Sequence, residues 1–167
     1  MMPKSNFAAT LVLPISGPPA AAALRSFVAS LALRDAFVAV TGQDDAFALK
    51  WPNDVLLRGG KVAGILLESV GQSRGMTHLA IGIGVNLAAA PAVGDVEEGA
   101  VHPVSLRGEL GLSVTPEDFL NPLASAFAHY EDQLRTYGFA PIRRAWMSHA
   151  ARLGKVIVAR TAREEWQ

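Results

Sequence analysis

The stretch Asp54–Ser69, "DVLLRGGKVAGILLES", decides the fold. Two apolar, strand-like runs, Asp54–Leu57 and Lys61–Ser69, flank Arg58-Gly59-Gly60, a β-hairpin signal. Just upstream, in "LKWPND" (Leu49–Asp54), a short strand from Phe47 to Lys50 should end its ladder by Pro52, which has no N–H to donate. Downstream, the loop "VGQSRGM" leads to a further strand in "HLAIGIGVNLA", His78–Ala88. Short links between successive strands imply antiparallel pairing.

Farther out, Phe7–Leu13 reads as a strand closed by Pro14. Gly17-Pro18-Pro19 opens a helix, since proline is tolerated in a first helical turn. Leu24, Phe27, Val28 and Leu31 give that helix an apolar stripe, and Gly42-Gln43-Asp44-Asp45 forms a turn after it. Ala88–Gly99 reads as a loop rich in Ala, Pro, Gly and acids. Thr115-Pro116-Glu117-Asp118 is a helix start, with a capping hydroxyl and acids in the first turn. The helix should run toward Tyr137, kinked or restarted at Pro122. Pro141 opens another helix, expected to stop at Gly154, and "KVIVAR" then starts a strand. Antiparallel hairpins with helices before and after predict an α+β fold, a mostly antiparallel sheet flanked by helices.

Composition narrows the function classes. The 167 residues are half hydrophobic, ample for one core. The longest apolar run, Ala20–Val40, is broken by Arg25, Arg34 and Asp35, so it reads as a buried helix rather than a membrane span of roughly 20 residues. Formal charge is zero and basic residues are scattered, which leaves no electrostatic footprint for nucleic acid or a membrane. There is no cysteine, so disulfide and thiolate chemistry are absent, in keeping with a cytoplasmic setting. His78, His102, His129 and His149 lie far apart without metal-ligand spacing. No phosphate-binding Gly-Lys-Ser/Thr loop and no nucleophile elbow is present.

The glycines are where chemistry concentrates: seven of the fifteen lie between Gly59 and Gly84. With period-2 alternation, Gly82, Gly84 and Asn86 share one strand face, and Ile81, Ile83 and Val85 share the other. Gly64 should share a face with Val62, Leu66 and Glu68. Two such strands side by side would make a floor of bare backbone for a planar ligand. The same glycines would also suit a β-bulge or a tightly packed helix. Lys50, held beside Trp51 and Pro52, suits phosphate oxygens or a developing negative charge, although a strand-end lysine is also a common solvated charge. Asn53 and Asp54 suit an Asx-type turn equally well. These residues describe a ligand site without naming a reaction.

"LKWPND", then "GGKVAGILLES", then "AIGIGVN", in this order and spacing, resemble the catalytic domain of biotin–protein ligases, of the class II biotin/lipoate ligase fold. The likeness extends over essentially the whole chain: "SNFAATLVL" resembles the strand after the family's biotin loop, and "APIRRAWMSHAARLGKVIV" its last catalytic helix and first barrel strand. The resemblance implies joining of biotin and ATP into biotinoyl-5′-AMP, then transfer of biotin to a lysine of the acetyl-CoA carboxylase carrier domain. It implies Lys50 as the catalytic lysine at the biotin carboxylate and α-phosphate. Gly64, Ile65, Gly82 and Gly84 would lie with the strands beneath biotin; Lys50, Trp51, Asn53 and Asn86 would serve the nucleotide. Lys61 would sit on a hairpin bordering a dimer surface. Mg²⁺ would arrive with ATP rather than in a protein-built metal site. Residues 1–153 are expected to be a partial catalytic domain lacking the family's Gly/Arg-rich biotin loop, and residues 154–167 the start of a truncated C-terminal β-barrel. Two outcomes follow: an ATP-dependent biotin ligase, or an inactive remnant that keeps only nucleotide or partner binding.

Overall fold

The computed structural model describes residues 6–15, 18–70, 78–92, 99–156, 159–160 and 165–166. Its elements are β1 (Phe7–Pro14), α1 (Pro19–Ala23), α2 (Arg25–Thr41), β2 (Phe47–Lys50), β3 (Asp54–Leu57), β4 (Gly60–Val70), β5 (His78–Val85), α3 (Leu106–Leu110), α4 (Pro116–Tyr137), α5 (Phe139–Ser148), β6 (Ala159–Arg160) and β7 (Glu165–Trp166). The first five strands form one antiparallel sheet in the order β1-β5-β4-β3-β2. The expected α+β architecture is therefore the one found. β6 and β7 pair as a separate two-stranded sheet; Ile157 and Val158 of the strand expected in "KVIVAR" lie outside the described residues. So do residues 71–76 of the "VGQSRGM" loop with residue 77 after it, and residues 93–98 of the Ala88–Gly99 loop. Among the described residues no helix is long and apolar enough to cross a membrane.

One face of the sheet carries the core. Ile81, Ile83 and Val85 of β5 point into it, with Ala63 and Ile65 of β4, as alternation predicts. α2 covers this face and is itself covered by α4 and α5, so its middle is buried all round, from Val28 through Leu33 and on to Phe37. Alanines 29, 32 and 36 let neighbouring elements approach it. Phe37 stacks on Phe47 at 4.9 Å between ring centroids and meets Phe119 at 4.9 Å, which takes the edge of Phe7 at 5.5 Å. This aromatic seam joins β1, α2, β2 and α4. Trp146 donates its Nε1–H to Ser30 Oγ at 3.1 Å, so the buried indole is satisfied.

Three helix expectations needed correction. The first helix breaks at Leu24 into α1 and α2, and Arg25 then grips Glu131 of α4 with Nε and Nη2 at 3.2 and 2.8 Å. Pro122 does not restart α4, which runs as one helix from its Thr115 cap with the proline inside it. The N–H that proline lacks would have bonded the carbonyl of Asp118, an exposed residue whose carbonyl water can serve. α5 starts at Phe139, two residues before Pro141, which sits in the first turn where an N–H has no intrahelical acceptor. It also stops at Ser148, well short of Gly154, because the following residues leave to dock on β2. Leu49 donates its N–H to the His149 carbonyl at 2.8 Å, and Ala151 donates to the Leu49 carbonyl at 2.7 Å. α3 was not foreseen; Ser105 caps it by accepting from the Gly108 N–H at 3.1 Å.

Candidate functional site

Among the described residues, no helix covers the centre of the opposite face of the sheet. That face presents Ala8 and Thr10 of β1, Gly82 and Gly84 of β5, and Gly64 and Leu66 of β4, all exposed or half-buried. Gly84 lies directly opposite Gly64 on one side and Ala8 on the other; Gly82 lies between Leu66 and Thr10. The glycines predicted to form a floor are thus brought together on adjacent strands.

Nothing in the protein's own packing requires Gly82 to be glycine. None of Gly64, Gly82 and Gly84 has a positive φ, so the backbone there is ordinary extended chain. A Cβ on Gly82 would meet only the Leu66 carbonyl and Cβ, at 3.6 and 3.7 Å, an ordinary contact. A Cβ on Gly64 would crowd Lys61 at 3.2 Å (Cε) and 3.4 Å (Nζ), so the lysine held by Asp54 would have to shift. Gly60 differs: a Cβ there would run into the Val104 side chain, so packing accounts for it.

The β-bulge considered for the glycines lies elsewhere. Val55 pairs with Ala63 but Leu56 pairs with Lys61, leaving Val62 as the extra residue. The expected grouping of Gly64 with Val62 is therefore overturned. Val62 turns fully into the core, and Lys61 takes its place on the glycine face, over Gly64. Simple alternation cannot cross a bulge, because the extra residue inverts the parity of everything before it.

Lys50 and Asp54 end β2 and start β3 and face each other across the three residues between them. Lys50 Nζ donates to Asp54 Oδ2 at 2.9 Å, and Lys61 Nζ stands 2.6 Å from Oδ1. The second contact is an ion pair off the hydrogen-bonding direction, so Oδ1 is buried without a hydrogen bond. Asp54, whose side chain is 9% exposed, therefore holds two ammoniums that are 24% and 41% exposed. The Asx-turn reading does not describe Asp54; it is a two-handed counter-ion. Asn53 does serve the loop: its Nδ2 donates to the Ile65 carbonyl at 2.8 Å, and its own carbonyl accepts from Ile65 N at 3.0 Å.

These groups open on a cleft of about 460 Å³ lined by Lys50, Asn53, Asp54, Lys61, residues 99–102 and Arg152. His102 is brought there because its carbonyl accepts from Lys61 N at 2.8 Å. Arg152 is brought there by the docking of residues 149–151 on β2. Sequence reasoning missed Arg152 and His102, which no local pattern marks.

Of the predicted residues only Lys50 and Asn53 line this cleft; Gly64, Gly82 and Gly84 lie on the open sheet face, and Trp51, Ile65 and Asn86 lie elsewhere. Trp51 is 41% exposed and lines a neighbouring cleft with Phe27, Trp146 and Met147, which also reaches Arg152. Ile65 has its side chain in the core, so only its main chain is near the floor. Asn86 works as a latch: its Nδ2 donates to the Val104 carbonyl at 3.0 Å, and its carbonyl accepts from Leu106 N at 2.9 Å. A larger apolar cleft of about 560 Å³ lies between β1 and α4, and neither the two lysines nor the floor glycines line it.

Comparison with known proteins bears on the fold and the family. The model of the biotin/lipoate A/B protein ligase family matches residues 1–86. A biotin–[acetyl-CoA-carboxylase] ligase of Paracoccus denitrificans is 59% identical over 99% of this chain and 69% of its own length. A biotin protein ligase-like protein of unknown function from Silicibacter superposes with a TM-score of 0.79 at 18% identity, covering 98% of this chain and 70% of that one. A biotin protein ligase from Aquifex aeolicus in complex with biotin and ATP gives 0.69 at 21%, covering 87% of this chain and 58% of that one. At such identities the two solved structures speak for the fold, while the family match and the Paracoccus likeness speak for descent. This chain, with its sheet, its glycine face and its paired lysines, belongs to the biotin/lipoate A/B protein ligase family of ligases.

Proposed function

We propose that the chain forms biotinoyl-5′-AMP from biotin and ATP and passes the biotinoyl group to a lysine of a biotin carboxyl carrier domain. The observation that carries this reading is that Gly82, on a face it shares with Gly64 and Gly84, is glycine for no reason of packing or backbone conformation. A face kept free of side chains beside a held ammonium is suited to a flat ligand with an anionic end.

In this reading biotin's ring lies over Gly64, Gly82 and Gly84, with its carboxylate toward Lys50. A carboxylate oxygen attacks the α-phosphorus of ATP; the new O–P bond forms as the bond to the bridging oxygen breaks, and pyrophosphate leaves. Two anions must meet for this, and the Lys50 ammonium offsets their repulsion and the charge of the transition state. Asp54 keeps that ammonium in place without reaching the reactants. The ε-amine of the carrier lysine then attacks the acyl carbon, loses a proton, and displaces AMP. Asn53 fixes the loop that carries Lys50. Trp51 flanks it, and Asn86 holds residues 104–106 beside the nucleotide end.

Among the described residues no group of three or more His, Asp or Glu could hold a metal, and both oxygens of Asp54 face ammoniums. In this reading Mg²⁺ travels on the ATP phosphates. The setting is cytoplasmic, where ATP and the carrier meet. The test is pyrophosphate release by the chain with biotin and ATP, with Lys50→Ala as control. The expected result is turnover that falls at least tenfold in the variant, whose Asp54 keeps Lys61 as partner. No turnover by a folded wild-type chain would refute the reading and leave an inactive remnant.

A further inference from the structure

We propose that Lys61 and Arg152 bind the pyrophosphate portion of the nucleotide and hold it as it leaves, a role that rests on the ligase reading above. Three observations lead there. The bulge at Val62 puts Lys61 on the open face instead of along the hairpin's outer side. There it shares one carboxylate with Lys50, and Asp54 Oδ1 is buried without a hydrogen bond. One carboxylate cannot neutralise two ammoniums, so the pair keeps one positive charge in excess.

Arg152 adds a second excess charge in the same cleft. Among the described residues it has no carboxylate partner. Its position is held by the backbone rather than by its side chain. Ala151 N–H bonds the Leu49 carbonyl, one residue before Lys50, and the Arg152 carbonyl accepts from Lys155 N at 3.0 Å. Arg152 also takes a φ of +63°, a left-handed conformation that non-glycine residues seldom adopt.

Lys50, Lys61 and Arg152 against Asp54 leave two net positive charges around one opening of about 460 Å³. A carboxylate or a single phosphodiester would leave part of that charge unmet; a diphosphate group spans and neutralises it. Lys50 faces the atoms where bonds change, and Lys61 and Arg152 lie beyond it on the cleft wall. When pyrophosphate departs, Asp54 is already in place as counter-ion to Lys61, so release leaves no isolated ammonium.

The experiment is calorimetric titration of the 167-residue chain with inorganic pyrophosphate, ATP, AMP and biotin, for the wild type and for Lys61→Gln and Arg152→Gln. Each variant should bind pyrophosphate and ATP about tenfold more weakly and AMP and biotin within about twofold of wild type. Lys61→Arg and Arg152→Lys should keep most of the pyrophosphate affinity, and circular dichroism of every variant should match wild type. The proposal is overturned if wild type binds no pyrophosphate, if both Gln variants bind it as wild type does, or if AMP and biotin are lost in equal measure. Pyrophosphate binding that depends on Lys61 and Arg152 in a chain that binds no biotin would support the anion site while sinking the biotin reading.

Discussion

Replacing Gly82 with valine should push stability and ligand binding in opposite directions. The extended backbone at Gly82 suits a β-branched residue, and the new Cβ would find only Leu66 at 3.6 and 3.7 Å. Removing a strand glycine lowers the entropy of the unfolded chain and adds a side chain with good strand preference, about 0.5–1 kcal/mol in favour of folding. For a chain of this length that corresponds to a rise in Tm of about 1–4 °C. A ligand in van der Waals contact with the bare backbone would overlap the new side chain. Overpacking of this kind costs about 1–3 kcal/mol, or roughly 5- to 150-fold in affinity. Differential scanning fluorimetry and biotin titration on the same preparation would measure both. A Gly82→Val chain that is more stable and binds biotin as well as wild type refutes the glycine floor. A chain that loses binding only because it unfolds refutes the claim that the fold does not need this glycine.

Two further expectations follow from the charges. Asp54→Asn should lower stability by about 1–2 kcal/mol in urea unfolding, a buried-pair effect discounted because both ammoniums are partly solvated. It should also slow pyrophosphate release by freeing Lys50; no change in either measurement would remove Asp54 from its holding role. The His149 imidazole has its pKa lowered from 6.5, chiefly by burial and then by the nearby Arg34 cation. Folding therefore prefers the neutral ring, and its contribution is complete above pH 6.5 and lost as the pH falls through the lowered value. Thermal melts from about pH 7.5 to 5 should show a steeper loss in wild type than in His149→Gln, and equal slopes would contradict this.

The strand pattern needed no tertiary information. "FALKWPND" and "DVLLRGGKVAGILLES" carry their pairing in local turn chemistry, with Arg58 and Gly59 both at positive φ in the hairpin turn. Alternation in "IGIGVN" put the isoleucines inward and the glycines outward, as found. Helix boundaries were less legible, because Pro122 and Pro141 act through whether a particular carbonyl or N–H has another partner, and that depends on exposure. Lys50 stood out beside Trp51 and Pro52; its hold by Asp54 followed only once the three-residue loop brought the two face to face.

What the sequence determined by itself was a set of short-range facts: which residues alternate, which turns close, and which glycines lie on one side of a strand. The bulge at Val62, which carries Lys61 onto the glycine face, and the run of His149–Ala151 along β2, which brings Arg152 to the same cleft, were decided only by the folded chain. Both depend on partners far away in the chain, His102 and Val104 for Lys61 and Leu49 for Ala151. Local propensity is blind to hydrogen bonds of that range, because they form only when the core has already brought the segments together.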